Sequence, residues 1–349
     1  MKIGIVGSGL QANRRLLSIQ ENPYTEIKSI AGVDETQVKI VAQKANAIAV
    51  PHWKNIIEDE EIDIVVICTP PNVHFEIAQA AIKNKKHILC EKPLTRKSSD
   101  AQKLVQLAAE NKVILKCGFN HRHHPAMIKA NELIKSGAIG KPITGRALYG
   151  ICGRENCEKE WRSDVEITAG GQLMEQGIHC IDLFRWFVGE FEAVSANVAT
   201  LVFPIAPLED TATALFHRSD GVSVTVNSSI TQWRNRFRLE LYGTMGYVEI
   251  NGLGGSYDVQ RLRIGKRDPN GPFKEEVIDY RGGDKSWKNE WNHFVDFLLN
   301  GGELLGTGID GVRASQFVEM AYLAAKKECR IKINPIDYEK TGTAFSNLV

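Results

Sequence analysis

Lys2-Ile3-Gly4-Ile5-Val6-Gly7-Ser8-Gly9-Leu10-Gln11-Ala12 is the stretch whose reading decides the fold. Its first half is a continuous β-branched run, the pattern of a strand buried on both faces as in a parallel sheet. After the glycines, Asn13–Ile19 has helical spacing. A glycine-rich turn between a strand and a helix N-terminus lets backbone N–H groups approach a pyrophosphate, and the helix dipole favours the anion. Gly7, Gly9 and Ala12 fill the three fingerprint positions, the third with a permitted alanine. Alone, the pattern is equally a tight βα turn. The second apolar run, Ile27–Val33, shifts that balance because it ends at Asp34, 22 residues beyond Ala12. A carboxylate there accepts from both ribose hydroxyls of NAD and repels the 2′-phosphate of NADP; its plainer role is a helix cap. The expected dinucleotide contacts are Gly7, Gly9, Leu10, Gln11, Ala12 and Asp34, with NAD preferred to NADP. Arg14 and Arg15 are the residues that would argue for NADP, since a nearby arginine accommodates the phosphate.

Outward from this stretch, further β-branched runs at Asp63–Cys68, His87–Leu89 and Val113–Cys117 alternate with helically spaced segments such as Ala101/Leu104/Val105/Ala108. Such alternation means βαβ units, and right-handed crossovers leave a doubly wound, Rossmann-like parallel sheet as the leading topology for residues 1–122. The pattern changes after Pro125. A helix at Met127–Lys135 precedes strand-like runs at Ile143–Ile151, Ala193–Phe203, Asp210–His217, Val222–Ile230, Phe237–Tyr242, Tyr247–Ile250 and Val259–Ile264. Several alternate polar with apolar, so residues 123–349 read as an α+β domain with a large, mostly antiparallel open sheet. Trp287, Trp291, Phe294 and Leu298 mark one closing amphipathic helix, and Asp310–Glu328 a second. An open sheet of this size with a partly apolar face predicts a homo-oligomer.

Composition narrows the function classes. The 349 residues are 43% hydrophobic and 24% charged, with a net charge of +1, so nothing marks a nucleic acid or an anionic membrane as partner. The apolar runs are too short to span a bilayer, and the N-terminal one is too short for a signal peptide. Seven scattered cysteines fit a cytoplasmic protein with free thiols. Cys152 and Cys157 are the only close pair, and adjacent His121, His123 and His124 have no carboxylate or thiolate near in sequence. No metal site is expected.

Loops at the carboxyl ends of parallel strands are where such sheets bind ligands. Two candidates are Thr69-Pro70-Pro71-Asn72-Val73-His74 and Glu91-Lys92-Pro93. Lys92 precedes a proline, which holds it extended and suits it to orient a substrate hydroxyl. In Gly170–Trp186, read as one helix, Glu175, His179, Asp182 and Trp186 are spaced 4, 3 and 4 and share a stripe. Acid, imidazole and acid on one stripe suit proton transfer; the plain alternative is a helix surface pair.

These motifs, in this order, resemble the glucose–fructose oxidoreductase/inositol dehydrogenase/MocA family along essentially the whole chain. The resemblance implies an NAD-dependent oxidoreductase that moves a hydride between nicotinamide and a secondary alcohol of a sugar, cyclitol or nucleotide sugar. It implies that Lys92 contacts substrate and nicotinamide, that His179 is the acid/base, and that Asp182 and Glu175 support it, Glu175 standing where many members have Asp. Thr69, Pro70, Asn72, His74, Glu91, Asn120, Trp161 and Arg162 join the implied cofactor contacts. It implies also a homodimer or homotetramer and C-terminal helices that return to the first domain. The Trp161–Phe191 stretch leans toward sugar or nucleotide-sugar pathways. Two rivals stay open: an NAD-containing glycosidase of the same fold, and a non-enzymatic dinucleotide-binding regulator, against which the presence of both Lys92 and His179 argues.

Overall fold

A computed structural model describes residues 1–271 and 274–335. The end of the expected second domain, residues 336–349, lies outside the described residues. The chain forms two compact units, one of Met1–Asn120 with Trp287–Arg313, the other of His121–Ser286 with Ala314–Pro335.

In the first unit β1 (Lys2–Val6), α1 (Leu10–Gln20), β2 (Glu26–Ala31), α2 (Glu35–Ala45), β3 (Ile48–Ala49), α3 (Trp53–Glu58), β4 (Ile64–Ile67), α4 (His74–Lys83), β5 (His87–Glu91), α5 (Ser98–Asn111) and β6 (Leu115–Gly118) follow one another. The six strands are parallel in the order β3-β2-β1-β4-β5-β6. The order reverses between β1 and β4, so the loops after these two strands flank the switch point where such sheets take ligands. Ile64-Val65-Val66-Ile67 is wholly buried, which explains its unbroken apolar reading. The tryptophan-rich helix belongs to this unit, with Trp291, Phe294 and Val295 packing among Ile3, Leu16 and Ile27.

Among the buried charges of this unit, Arg15, Glu91, Lys116 and Glu290 form one cluster. Arg15 Nε donates to Glu91 Oε1 at 2.6 Å and its Nη1 to Glu290 Oε2 at 2.9 Å. The Lys116 ammonium lies 3.2 Å from Glu290 Oε1 and donates to the Leu305 carbonyl. Burial alone would lower the Arg15 pKa, but the two carboxylates raise it above its ordinary value. Burial lowers that of Lys116, with Glu290 opposing. Two cations and two anions leave the cluster neutral, as a low-dielectric interior requires.

The second unit holds α6 (Pro125–Lys135), β7 (Pro142–Cys152), a π-helical turn at Leu173–Gly177, α7 (Ile178–Val188), β8 (Ala193–Ala199), β9 (Thr211–His217), β10 (Ser223–Ser229), β11 (Thr231–Gly243), β12 (Gly246–Asn251), β13 (Gln260–Lys266) and β14 (Lys274–Tyr280). Helices α8 (Ser286–Asn300) and α9 (Gly308–Lys327) and the short β15 (Ile331–Lys332) close the chain. The sheet runs β14-β13-β12-β11-β7-β10-β9-β8-β15, antiparallel except for β7 with β10. On one face Phe317 of α9 packs on Phe191 and Phe216. The other face is more polar than expected. Toward β14 it carries ion pairs from Arg238 to Glu240 and Glu249, from Arg263 to Glu275 and from Arg261 to Asp279.

Three local readings are corrected. The run Ala193–Phe203 stops as a strand at Ala199, because the amides of Leu201, Val202 and Phe203 turn onto the Asp210 carboxylate. Burial would raise that carboxyl's pKa, yet the three amides hold it below its ordinary value. Strand β14 goes unannounced in sequence because Lys274, Glu275 and Glu276 suit a sheet edge rather than a core. Residues 173–177 form a π-turn, so the regular α-helical stripe begins only at Ile178.

The buried cluster gives a stability test. Glu290→Ala leaves Arg15 and Lys116 without their shared carboxylate and should cost about 3–5 kcal/mol, the usual effect of breaking a buried pair. Urea unfolding monitored by tryptophan fluorescence measures it. A loss below about 1 kcal/mol, typical of surface pairs, would contradict the assignment.

Candidate active site

The loop after β1 is built to admit a ligand. Gly7 has φ of +114°, and a Cβ there would lie 2.7 Å from the Cys68 carbonyl oxygen. Gly9 begins α1 with no side-chain cap, and a Cβ on it would have nothing within 4 Å. Uncapped helix amides beside open space fit a pyrophosphate. Ala12 is fully buried, which lets the helix sit close on the sheet, while Leu10 is exposed. Asp34 takes the plainer role at least with one oxygen: Oδ1 accepts from Gln37 N at 3.0 Å and caps α2. It is exposed at the end of β2, compatible with a ribose contact as well. Of the two arginines that would argue for NADP, Arg15 is spent in the buried cluster. Arg14 is exposed, 5.7 Å from the Trp287 ring centroid.

The loops after β4 and β5 are tied together. His74 is fully buried; its Nδ1 lies 2.9 Å from the Pro93 carbonyl and its Nε2 2.8 Å from that of Thr69. Burial lowers its pKa despite the two carbonyls. A neutral imidazole carries one N–H, so it donates to one of them at a time. His74 and Glu91, expected as cofactor contacts, are both turned inward: His74 braces the loop of Thr69 against the loop of Lys92, and Glu91 holds Arg15. Thr69, Pro70 and Lys92 are half-buried, and Asn72 is exposed. Asn120, buried, begins a short 3₁₀ turn to His123.

In the second unit that turn meets helix α7. Arg122 donates from Nε and Nη2 to the two oxygens of Asp182, at 2.8 and 2.6 Å, both side chains buried. Its guanidinium also lies 5.6 Å from the Trp186 ring centroid. This bidentate clamp fixes the turn on the helix. One result is that His121 stacks on His179, with ring centroids 3.9 Å apart and planes 20° from parallel. His121 Nε2 is 3.2 Å from the Tyr149 hydroxyl, whose pKa burial raises well above its ordinary value. Glu175, on the π-turn, lies 3.6 Å from Arg162 Nε, and Arg162 stacks 4.3 Å from the Trp161 ring centroid.

Glu175, His179 and Asp182 are therefore brought to one helix, but each meets a different neighbour. Arg162 faces Glu175, His121 faces His179, and Arg122 grips Asp182. A paired imidazole with a phenol at its edge can pass a proton while staying fixed in orientation. Sequence reasoning did not single out Tyr149, or His121 as a partner of His179. Tyr149 occupies an inward position of alternating β7, and nothing in that alternation separates it from core.

Models of two domain families match the chain. One, described as an oxidoreductase family with an NAD-binding Rossmann fold, covers residues 1–119; the other, the GFO/IDH/MocA C-terminal domain, covers residues 127–249. Myo-inositol 2-dehydrogenase of Thermotoga maritima is 30% identical over 256 residues, 71% of this chain and 74% of that one. Levoglucosan dehydrogenase of Pseudarthrobacter phenanthrenivorans is 30% identical over 222 residues, 60% of this chain and little more than half, 56%, of that one. An inositol dehydrogenase of Bacillus subtilis, named for NADP(+), is 25% identical over 95% of this chain and 96% of its own. Among solved structures, levoglucosan dehydrogenase with NADH and levoglucosan superposes with a TM-score of 0.89 at 24% identity, over 96% of this chain and all of that one, which shows a shared fold. With both domain models matched in order, the chain belongs to the GFO/IDH/MocA oxidoreductase family.

Proposed function

We propose that this protein is an NAD-dependent dehydrogenase acting on a secondary alcohol of a sugar, cyclitol or nucleotide sugar. The buried His179–His121 stack beside Tyr149, in a member of an oxidoreductase family, carries the reading. The names of the relatives support the substrate class, since they act on levoglucosan, inositols and a dTDP-sugar. The first unit is assigned to the dinucleotide and the second to the substrate and to assembly.

The dinucleotide would be held by Gly7, Gly9, Leu10, Gln11, Ala12 and Asp34, with Thr69, Pro70, Asn72, Asn120, Trp161 and Arg162 as further contacts. When bound, it supplies the hydride acceptor in oxidation and the donor in reduction. His179 takes the proton of the substrate hydroxyl as that alcohol becomes a ketone, and returns it in the reverse direction. Lys92 orients the hydroxyl and offsets the negative charge that develops on its oxygen. The His121 ring and the Arg122–Asp182 clamp keep His179 in one orientation, so its proton transfer needs no rearrangement.

Seven free thiols suit a reducing cytoplasm, and no described helix is long and apolar enough to cross a membrane. Assembly through the open sheet is proposed as a homodimer or homotetramer, its polar face favouring interlocked ion pairs over apolar burial. Light scattering at micromolar protein should give a multiple of the chain mass; a monomer counts against it.

Asp34 should set cofactor choice. Calorimetry is expected to give tighter binding of NAD than of NADP, because a 2′-phosphate near Asp34 meets a like charge and Arg15 is unavailable to neutralise it. Equal or stronger NADP binding overturns the preference.

Turnover tests the chemistry. A panel of polyols, aldoses, inositols and nucleotide sugars, followed by NADH formation, should identify the substrate. On it, His179→Ala should lower kcat about 10²–10⁴-fold, the range for a positioned proton-transfer group, with little change in NAD affinity. Lys92→Ala should also slow turnover, and the double variant should lose less than the product of the single losses. Near wild-type kcat in both single variants would make these residues structural. Aglycone release without NADH, lost in the same variants, would move the reaction class to glycoside cleavage.

A further inference from the structure

We propose that Glu209 is a positioning residue for the reaction, locking the start of the helix that carries Glu175 and His179. The proposal rests on the reading of His179 as the acid/base. Glu209 precedes β9 and is buried. Three successive amides converge on it: Gly171 N on Oε2 at 3.2 Å, Gln172 N on the Glu209 carbonyl at 3.1 Å, and Leu173 N on Oε1 at 2.9 Å. The first amides of a helix have no partner within it, and here one remote residue serves three. Its carboxylate also sits at the positive end of the helix dipole.

The surroundings are shaped to this contact. A Cβ on Gly171 would lie 2.3 Å from both the carbonyl oxygen and Oε2 of Glu209, so no larger residue admits the approach. A Cβ on Gly170 would lie 2.5 Å from the Tyr322 hydroxyl. That hydroxyl donates to Glu209 Oε1 at 2.8 Å, bracing the carboxylate from α9. The Gly-Gly step ahead of the histidine helix thus has a physical reason: it makes room for the lock.

The bonds work beside apolar packing, with Leu173 and Met174 fully buried. A cleft of about 520 Å³, lined by Gly170, Val198, Leu208, Glu209, Tyr322 and Lys326 among others, lies beside the lock, so one side of it is open space. Burial raises the Glu209 pKa above the ordinary carboxylate value, with the donors opposing. A buried carboxylate that is costly to ionise is a poor choice for stability and a good one for fixing direction. From Leu173 the backbone runs through the π-turn to His179 without a break, so a tilt at the start displaces the imidazole.

Glu209→Gln keeps the shape but not the acceptors. An amide has one oxygen, so either Gly171 N–H or Leu173 N–H must face an NH₂ group. Hydrogen exchange should rise at least about tenfold at the amides of 171–177 while β9 and β10 stay protected, the sign of local rather than global opening. With the alcohol that the wild type oxidises, kcat should fall about 10–100-fold, as for a misplacement near 1 Å, while KM for the alcohol and Kd for NAD change less than about threefold. Tyr322→Phe keeps the carboxylate and should shift both readings the same way, by about 2–5-fold, since it removes a single hydrogen bond. Unchanged exchange at 171–177, or unchanged kcat, in Glu209→Gln overturns the proposal. Should that variant fail to fold, Tyr322→Phe decides, and no change in either reading overturns it. His179→Ala serves as the control for the underlying reading: activity retained there defeats the acid/base assignment whatever Glu209 does.

Discussion

Charge neutrality in a dry interior is the constraint on which the first unit depends. Arg15 stands one turn into the helix that the glycine loop begins, Glu91 ends the strand that delivers Lys92, and Glu290 arrives from a helix nearly two hundred residues later in sequence. None of these charges is tolerable alone when buried, and together with Lys116 they cancel. The helix behind the glycine turn, the lysine strand and the tryptophan helix are thereby held to a single arrangement. Hydrophobic contacts between the same elements resist separation but allow sliding; a fork of hydrogen bonds from one guanidinium to two carboxylates does not.

The second unit solves a related problem with other means. There the His179 imidazole faces the His121 ring in one orientation. The bidentate Arg122–Asp182 clamp supplies rigidity, and the His121 ring supplies a flat neighbour at 3.9 Å. The clamp leaves both nitrogens of the His179 ring outside its own hydrogen bonds.

Much of this was legible in sequence, and the boundary between what was and was not has a physical basis. Strands buried on both faces announce themselves by unbroken apolar runs, so Lys2–Val6 and Ile64–Ile67 were plain. The family was legible because the glycine turn, Glu91-Lys92-Pro93 and the histidine helix depend on local spacing. The roles of Arg15, His74 and Glu91 were not, because they are set by partners distant in sequence: an arginine read as a possible phosphate contact is instead a core cation. The π-turn was hidden as well. Its residues have ordinary helical character, and the contact of Gly171 with Glu209 that precedes it joins residues far apart in sequence. Tyr149 was indistinguishable from core until the fold set its hydroxyl against His121.

Adjacent carboxylates at Glu209 and Asp210 serve opposite directions of the chain. Glu209 gathers the amides of 171–173, and Asp210 those of 201–203. The start of the histidine helix is consequently anchored to the sheet and not to the segment that precedes it. Residues 153–168, which join β7 to that anchor, reach it through Thr168, whose hydroxyl donates to the Gly170 carbonyl, and through Arg162, 3.6 Å from Glu175. Such an arrangement leaves the backbone of 171–173 held by the sheet, while the connecting loop sets which side chain meets Glu175. Sequence exchanged in such a loop alters the neighbours of Glu175 while the amides of 171–173 keep their acceptors.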